Sequence, residues 1–265
     1  MGYVPYPKYE EATAKTLEYA YDDFCAYSLA RQTGNEFYQN VFSRQMYNYK
    51  NVYDPNTGFM RGRKANGEWV PDFDPYEWGG PFTEGNAWHY LWSVFQDVQG
   101  LINLMGGEEY FTQKLDSVFS VPNIVNEGSY GYMIHEMTEM QLADMGQYAH
   151  GNQPIQHMIY LYNYSGAPWK TQKWVRQVME ELYNSTENGY PGDEDQGQKD
   201  RVRVGRRGVE VGDELRERDA QAGERRDPDD GEHGQRPPAD LGSEALHHRH
   251  RPVRCRLDRA KPALL

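Results

Sequence analysis

Three carboxylates stand side by side in Gly189-Tyr190-Pro191-Gly192-Asp193-Glu194-Asp195-Gln196-Gly197, a loop punctuated by glycine. Like charges this close raise one another's pKa unless a cation or guanidinium neutralises them, and calcium accepts carboxylate and amide oxygens of this kind. A solvated acidic turn is the plainer reading of the same residues. A further carboxylate, Glu84, lies in Phe82-Thr83-Glu84-Gly85-Asn86-Ala87-Trp88-His89-Tyr90, just ahead of a helix start. The helix dipole there favours its ionised form, whereas aromatic surroundings would raise its pKa and make it a proton donor. The run His135-Glu136-Met137-Thr138-Glu139 matches the zinc-protease spacing H-E-x-x-H until its fifth position, where Glu139 replaces histidine and the metalloprotease reading fails. On a helix, His135 and Glu139 share a face one turn apart, and Glu139 offers oxygen to a hard cation better than to zinc. His150-Gly151-Asn152-Gln153-Pro154 gathers neutral hydrogen-bonding groups suited to a hydroxyl-rich ligand. Trp78, Trp88 and Trp169 are candidate platforms for sugar rings, with a buried aromatic core as the competing reading. Neither a phosphate-cradling glycine loop nor a G-x-S-x-G elbow is present, which argues against nucleotide and serine-hydrolase chemistry.

These residues need a scaffold, and the apolar spacing predicts helices. Ala14, Leu17, Tyr21, Phe24, Cys25 and Leu29 form one stripe between Tyr9 and Ala30, with Gly34 as a stop. A second helix is expected from about Glu36 to Tyr49, before the turn residues Asp54-Pro55-Asn56-Thr57-Gly58. From about Asn51 to Glu84 prolines, glycines and aromatics alternate without helical period, and a loop of this length in a compact domain is usually functional. Trp88, Leu91, Phe95, Val98, Ile102 and Met105 predict one helix closed by Gly106-Gly107. Further helices are expected over His135 to Tyr148, over Ile155 to Tyr164 with Asn152 as cap, and from Pro168 to about Tyr183. With no convincing strand series, this pattern indicates an all-α assembly of helical hairpins.

Composition divides the chain near residue 199. All aromatic residues and methionines precede it, whereas residues 199–265 hold 16 basic and 14 acidic groups and no Phe, Tyr, Trp, Met or Ile. Such a segment cannot bury enough apolar surface to offset its ordering entropy, so a disordered, Arg-rich tail is expected. Its bias is also that of GC-rich DNA read out of frame. Residues 1–198 carry 12 basic and 26 acidic groups, an acidity that argues against nucleic acid as a partner. Without an apolar run of membrane-span length or a leader-like start, a soluble chain is expected, and Cys25 and Cys255 are too few for a disulfide framework.

Thr83-Glu84-Gly85-Asn86-Ala87-Trp88, Gly131-Tyr132 with His135-Glu136-Met137-Thr138-Glu139-Met140, Gly151-Asn152-Gln153-Pro154, Pro168-Trp169-Lys170-Thr171-Gln172 and Gly189 to Gln198, taken in that order, resemble glycoside hydrolase family 92 over residues 1–198. The resemblance implies a calcium-dependent, inverting exo-α-mannosidase, and a fold in which a β-sandwich precedes an (α/α)6 barrel. By that resemblance Glu84 is the general acid and Asp195, supported by Asp193, the general base. His135, Glu136 and Trp88 are expected to line the mannose pocket together with Asn152 and Gln153, and Glu139 falls in the calcium-holding region. The implied substrate is a terminal α-mannoside, and the family's habit is the periplasm or the cell exterior. The β-sandwich and part of the barrel are expected to be missing, giving a partial (α/α)6 barrel whose exposed faces favour self-association. The alternatives are an inactive remnant that binds carbohydrate or calcium, and another (α/α)6 glycosidase or lyase using the same acids.

Overall fold

A computed structural model describes residues 1–186 and 189–192, so the expected tail at 199–265 and the carboxylates at 193–195 lie outside the described residues. The backbone is predominantly helical, as the apolar spacing predicts. Helix α1 (Ala12–Thr33) stops at Gly34, whose left-handed φ of 69° lets its N–H reach the carbonyls of Ala30 and Arg31. Helix α2 (Glu36–Gln45) starts at Asn35, which accepts the N–H of Tyr38, and it ends four residues short of the expected Tyr49. Only the first half of the α1 stripe is core: Ala14 and Leu17 are buried, whereas Tyr21, Cys25 and Leu29 are not. The second half of that helix packs against α2, and its Tyr21 meets Phe95 edge-on.

The long loop contains one small hairpin, in which β1 (Tyr53–Asp54) pairs antiparallel with β2 (Phe59–Met60) around the expected turn. Asp54 closes it by accepting the N–H of Asn56 at 3.0 Å and pairing with Arg61 at 2.8 Å. The single helix expected from Trp88 to Met105 is instead broken. Helix α3 (Ala87–Tyr90) gives way to irregular turns, and α4 (Val98–Leu104) begins afresh at Asp97. Asp97 accepts the N–H of Gly100 and the Tyr49 hydroxyl, while His157 Nε2 engages the Trp92 carbonyl. These tertiary bonds outweigh the helical period, yet Leu91, Trp92, Val94, Leu101 and Ile102 are buried.

Helix α5 (Glu108–Val118) has no counterpart in the sequence expectations. It follows Gly106-Gly107, carries two glutamates in its first turn and buries Phe111, Leu115 and Val118 at four- and three-residue steps. Helix α6 (His135–Ala143) ends early because Asp144 turns left-handed at φ 49° and Gly146 packs onto the carbonyls of Val118 and Val121. The segment Gln153–Asn163 is a 3-10 helix, and α7 (Pro168–Glu181) follows, burying Thr171 and Val178. One core runs through α1, the hairpin, α3 to α6, the 3-10 helix and α7. No helix among the described residues is long and apolar enough to cross a membrane.

Candidate active site

The loop carrying Glu84 is closed on itself before it meets anything else. Gly79 donates its N–H to the Gly85 carbonyl at 3.0 Å, the Tyr90 hydroxyl donates to the Thr83 carbonyl at 2.6 Å, and Phe82 stacks on Tyr90. Asn86 then caps α3 by accepting the N–H of Trp88, while His89 Nδ1 accepts the N–H of Asn86, a reciprocal box at a four-residue helix. Since Nδ1 accepts, the imidazole hydrogen sits on Nε2 and is donated to the Gln147 carbonyl at 2.9 Å. Gln147 also accepts the Asn86 amide at 2.9 Å and donates to the carbonyls of Pro122 and Ile124. Asn86, His89 and Gln147 are thus a buried, neutral network that joins the Glu84 loop to the chain entering His150-Gly151-Asn152. Burial drives the His89 pKa down to about 3, so the ring stays uncharged.

Glu84 itself is exposed, with a left-handed φ of 45°. Its N–H donates to the Tyr130 hydroxyl at 2.9 Å, and its carbonyl accepts the Asn152 side-chain amide at 2.5 Å. Asn152 is 3% exposed and makes no side-chain cap to the 3-10 helix, contrary to expectation; its side-chain amide instead donates to the Glu84 carbonyl. The four-residue α3 supplies little dipole to Glu84. The neighbouring Gly151 packs against both Glu139 and Gly192, so a Cβ there would run into the Glu139 carboxylate and the Gly192 backbone. Gly192 immediately precedes Asp193. On the other side, His150 bridges two phenols, Nδ1 to Tyr148 at 2.8 Å and Nε2 to Tyr183 at 2.7 Å, and Tyr183 meets Tyr190 edge-on.

The structure therefore brings Glu84, Glu139, Gly151, Asn152 and Gly192 together, while Asp193 and Asp195 lie outside the described residues. His135 and Glu136 open α6, His135 Nε2 lying 3.2 Å from Glu136 Oε1, and Glu136 Oε2 is buried with no hydrogen-bond partner among the described residues. Gln153 is half-buried at the first residue of the 3-10 helix. Trp88 corrects the stacking expectation, being 6% exposed and wedged edge-on against Phe59 with Lys114 Nζ 4.6 Å from its ring centre. Trp78 is fully buried against His89, and Trp169 alone of the three is exposed, on α7. Tyr130, Asn86, His89 and Gln147 carry the geometry without having been singled out from the sequence. The cap pattern Asn86-x-x-His89 and the glycine bracket Gly128-Ser129-Tyr130-Gly131 are the signals that could have found them.

Comparison with known proteins extends what the geometry suggests. The sequence model of the glycosyl hydrolase family 92 catalytic domain matches residues 1–201. A family GH92 inverting mannosidase from Bacteroides thetaiotaomicron VPI-5482 is 56% identical, with a TM-score of 0.63 over 75% of this chain and 27% of its own. A family GH92 alpha-mannosidase from Bacteroides thetaiotaomicron, solved with mannoimidazole, is 39% identical, with a TM-score of 0.65 over 75% of this chain and 26% of its own. An uncharacterized secreted glycosidase of Arthroderma benhamiae is 24% identical over 74% of this chain and 26% of its own length. The chain thus spans about a quarter of the length of these relatives. With the family model covering most of the chain and the helical fold shared, the chain belongs to glycosyl hydrolase family 92, its all-α body a portion of an (α/α)6 barrel.

Proposed function

We propose that this chain carries the catalytic carboxylates of a glycoside hydrolase that removes terminal α-linked mannose with inversion. Residues 1–198 are read as a segment of the catalytic barrel, with Glu84 as general acid and Asp195, supported by Asp193, as general base. One observation carries this reading: Asn152 grips the Glu84 backbone while Gly151, its neighbour, packs on Gly192. Two carboxylate loops more than a hundred residues apart in sequence therefore meet on adjacent residues, whose Cα atoms are about 3.8 Å apart. Asp195 follows Gly192 by three residues, a reach of about 10 Å. That reach accommodates the roughly 6.5–9.5 Å by which an inverting pair is separated to admit a water.

In the proposed reaction Glu84 gives its proton to the glycosidic oxygen as the bond from C1 to that oxygen breaks. Asp195 takes a proton from the water that attacks C1 from the opposite face, so the sugar leaves with inverted configuration and the alcohol leaves neutral. His135, Glu136 and Gln153 are assigned to the sugar's hydroxyls, and Trp88 to the wall behind the pocket. Calcium fits the donor chemistry. Glu136 has a buried carboxylate oxygen without a hydrogen-bond partner among the described residues, and Glu139 points its carboxylate at Gly151, beside the start of the acidic loop. Among the described residues no group of three or more metal-binding side chains is assembled, so Glu139 and Glu136 would need oxygens from residues 193–195 to reach the six to eight that calcium takes. Such an ion, when bound, would coordinate hydroxyls of the sugar and help hold its ring distorted toward the transition state. The compartment proposed is the periplasm or the cell exterior, in keeping with the secreted relative.

The test is release of mannose from an α-mannoside by the chain in calcium, in chelator, and with Glu84→Gln. Chelator-sensitive turnover that yields β-mannose first and falls at least about 100-fold in the variant is expected. No release from any α-mannoside in saturating calcium, or release untouched by Glu84→Gln, would sink the reading and leave a carbohydrate- or calcium-binding segment.

A further inference from the structure

Glu84 is an exposed loop residue in a backbone region that costs a residue with a Cβ about 1 kcal/mol or more, and such a conformation persists only where its surroundings over-determine it. Here both flanking peptide groups are held by side chains from other segments. The Tyr130 hydroxyl accepts the Glu84 N–H at 2.9 Å, and the Asn152 amide donates to the Glu84 carbonyl at 2.5 Å. Tyr130 is itself aimed by a docked turn. Trp78 N–H donates to the Asn126 carbonyl at 2.9 Å, Ser129 N–H to the Trp78 carbonyl at 3.3 Å, and Gly80 N–H to Ser129 Oγ at 2.7 Å. The seat depends on Gly79, where a Cβ would run into Ser129 Oγ and the Tyr130 ring, and on Gly128, where one would strike the Trp78 carbonyl. Burial raises the Tyr130 pKa, and the nearby carboxylates of Glu84, Glu11 and Glu136 add to that rise, so the phenol stays neutral.

We propose that Tyr130 is a positioning residue for Glu84: with Asn152 it locks the left-handed backbone at Glu84 and so fixes the direction from which the carboxyl reaches the leaving-group oxygen. The proposal rests on the reading of Glu84 as general acid. It gives the phenol a role in the site without contact to the substrate.

Two measurements on the full chain test it, with Tyr130→Phe and Asn152→Asp each first checked for an unchanged near-ultraviolet circular dichroism spectrum. In chain labelled with 15N-glutamate, the Glu84 amide is expected to exchange with solvent at least about tenfold faster in either variant, while the Glu136 and Glu139 amides keep their rates. The second measurement uses leaving groups of different quality. Dinitrophenolate departs without protonation, whereas an alcohol needs the acid, so a displaced acid harms only the latter. Tyr130→Phe is expected to lower kcat for methyl α-mannoside or an α-mannobiose about 10- to 100-fold with KM within about twofold, and to leave dinitrophenyl α-mannoside within about threefold. An unchanged Glu84 exchange rate, or equal loss on both substrates beside a Glu84→Gln variant that does discriminate between them, overturns the proposal alone. Equal loss in Glu84→Gln overturns the acid reading and the proposal with it. Should no substrate turn over, the Glu84 exchange rate decides whether the phenol holds that peptide.

Discussion

His89→Gln tests the network that holds the Glu84 loop. Burial places the His89 pKa at about 3, against an ordinary value near 6.5 in the unfolded chain. Between those values the unfolded chain takes up a proton that the folded one refuses. The contribution of His89 is therefore intact above about pH 6.5 and is lost as pH falls, at about 1.4 kcal/mol per pH unit. Between pH 7 and pH 5 the loss is about 2 kcal/mol, a large fraction of an ordinary domain's stability. Glutamine can keep the donor to the Gln147 carbonyl but withdraws the acceptor from the buried Asn86 N–H, so the variant should be weaker at pH 7 by about 1–3 kcal/mol. It should lack the acid sensitivity, and the two stabilities should converge by about 2 kcal/mol as pH drops to 5. Glu18, Asp23 and Glu77 have carboxyl pKa values raised by burial and by acidic neighbours, and they act in the opposite direction, stabilising the fold as pH falls. They are common to both proteins, so only the difference between them counts. Urea unfolding followed by tryptophan fluorescence at pH 7, 6 and 5 measures it. A gap that stays constant across that range would refute the claim that His89 is held neutral by burial.

Gly151→Ala should displace the Gly192 segment from Glu139, because the added methyl has no space between them. A loss of about 1–3 kcal/mol and weakened calcium binding by titration calorimetry are expected, and wild-type values for both would show that the junction has slack. Lys114 is half-buried against Phe59, 3.5 Å from its ring centre, and burial lowers its pKa to about 8. Its folded pKa being depressed, stability should rise as pH climbs from about 8 toward the ordinary lysine value, and Lys114→Met should flatten that rise and lift the melting temperature at pH 7. A lowered melting temperature at pH 7 would show instead that attraction to the Phe59 and Trp88 rings outweighs the cost of burial.

Most of the helices were legible because their apolar faces repeat at helical spacing and glycine or asparagine marks their ends, as Gly34 and Asn35 do for α1 and α2. Spacing reports burial rather than helix, however. Leu91, Trp92 and Val94 are buried in a stretch that leaves the helix, where His157 engages the Trp92 carbonyl and Tyr49 holds Asp97, the residue that starts α4 afresh. Tyr49 and His157 are remote from that stretch in sequence. Helix α5 was missed although Phe111, Leu115 and Val118 repeat correctly, since its eleven residues are short and mostly polar. In the candidate site, carboxylates announce themselves by type, as Glu84 and Glu139 do, whereas Glu136 enters only through the family resemblance. Tyr130 and Gln147 were not found, because their importance lies in which backbone group they meet across the fold.

The way Glu84 is held bears on the acid role proposed for it. A general acid must keep its proton until the leaving group needs it, and a nearby guanidinium or ammonium would stabilise the carboxylate and lower its pKa. The groups that fix the Glu84 peptide are a phenol and a carboxamide, and those behind the loop are Asn86, His89 and Gln147. All five are neutral, His89 because burial keeps it so. Position is thus imposed by hydrogen bonds on the backbone, which add no formal charge to the carboxyl's surroundings. The cost is that each partner is buried or half-buried and must be satisfied, so losing one bond leaves a polar atom stranded. A site built in this way should tolerate changes of exposed charge far better than the loss of a single amide or hydroxyl. Removing the phenol oxygen of Tyr130 is therefore expected to matter more than reversing the charge of the exposed, i,i+4-paired Glu68.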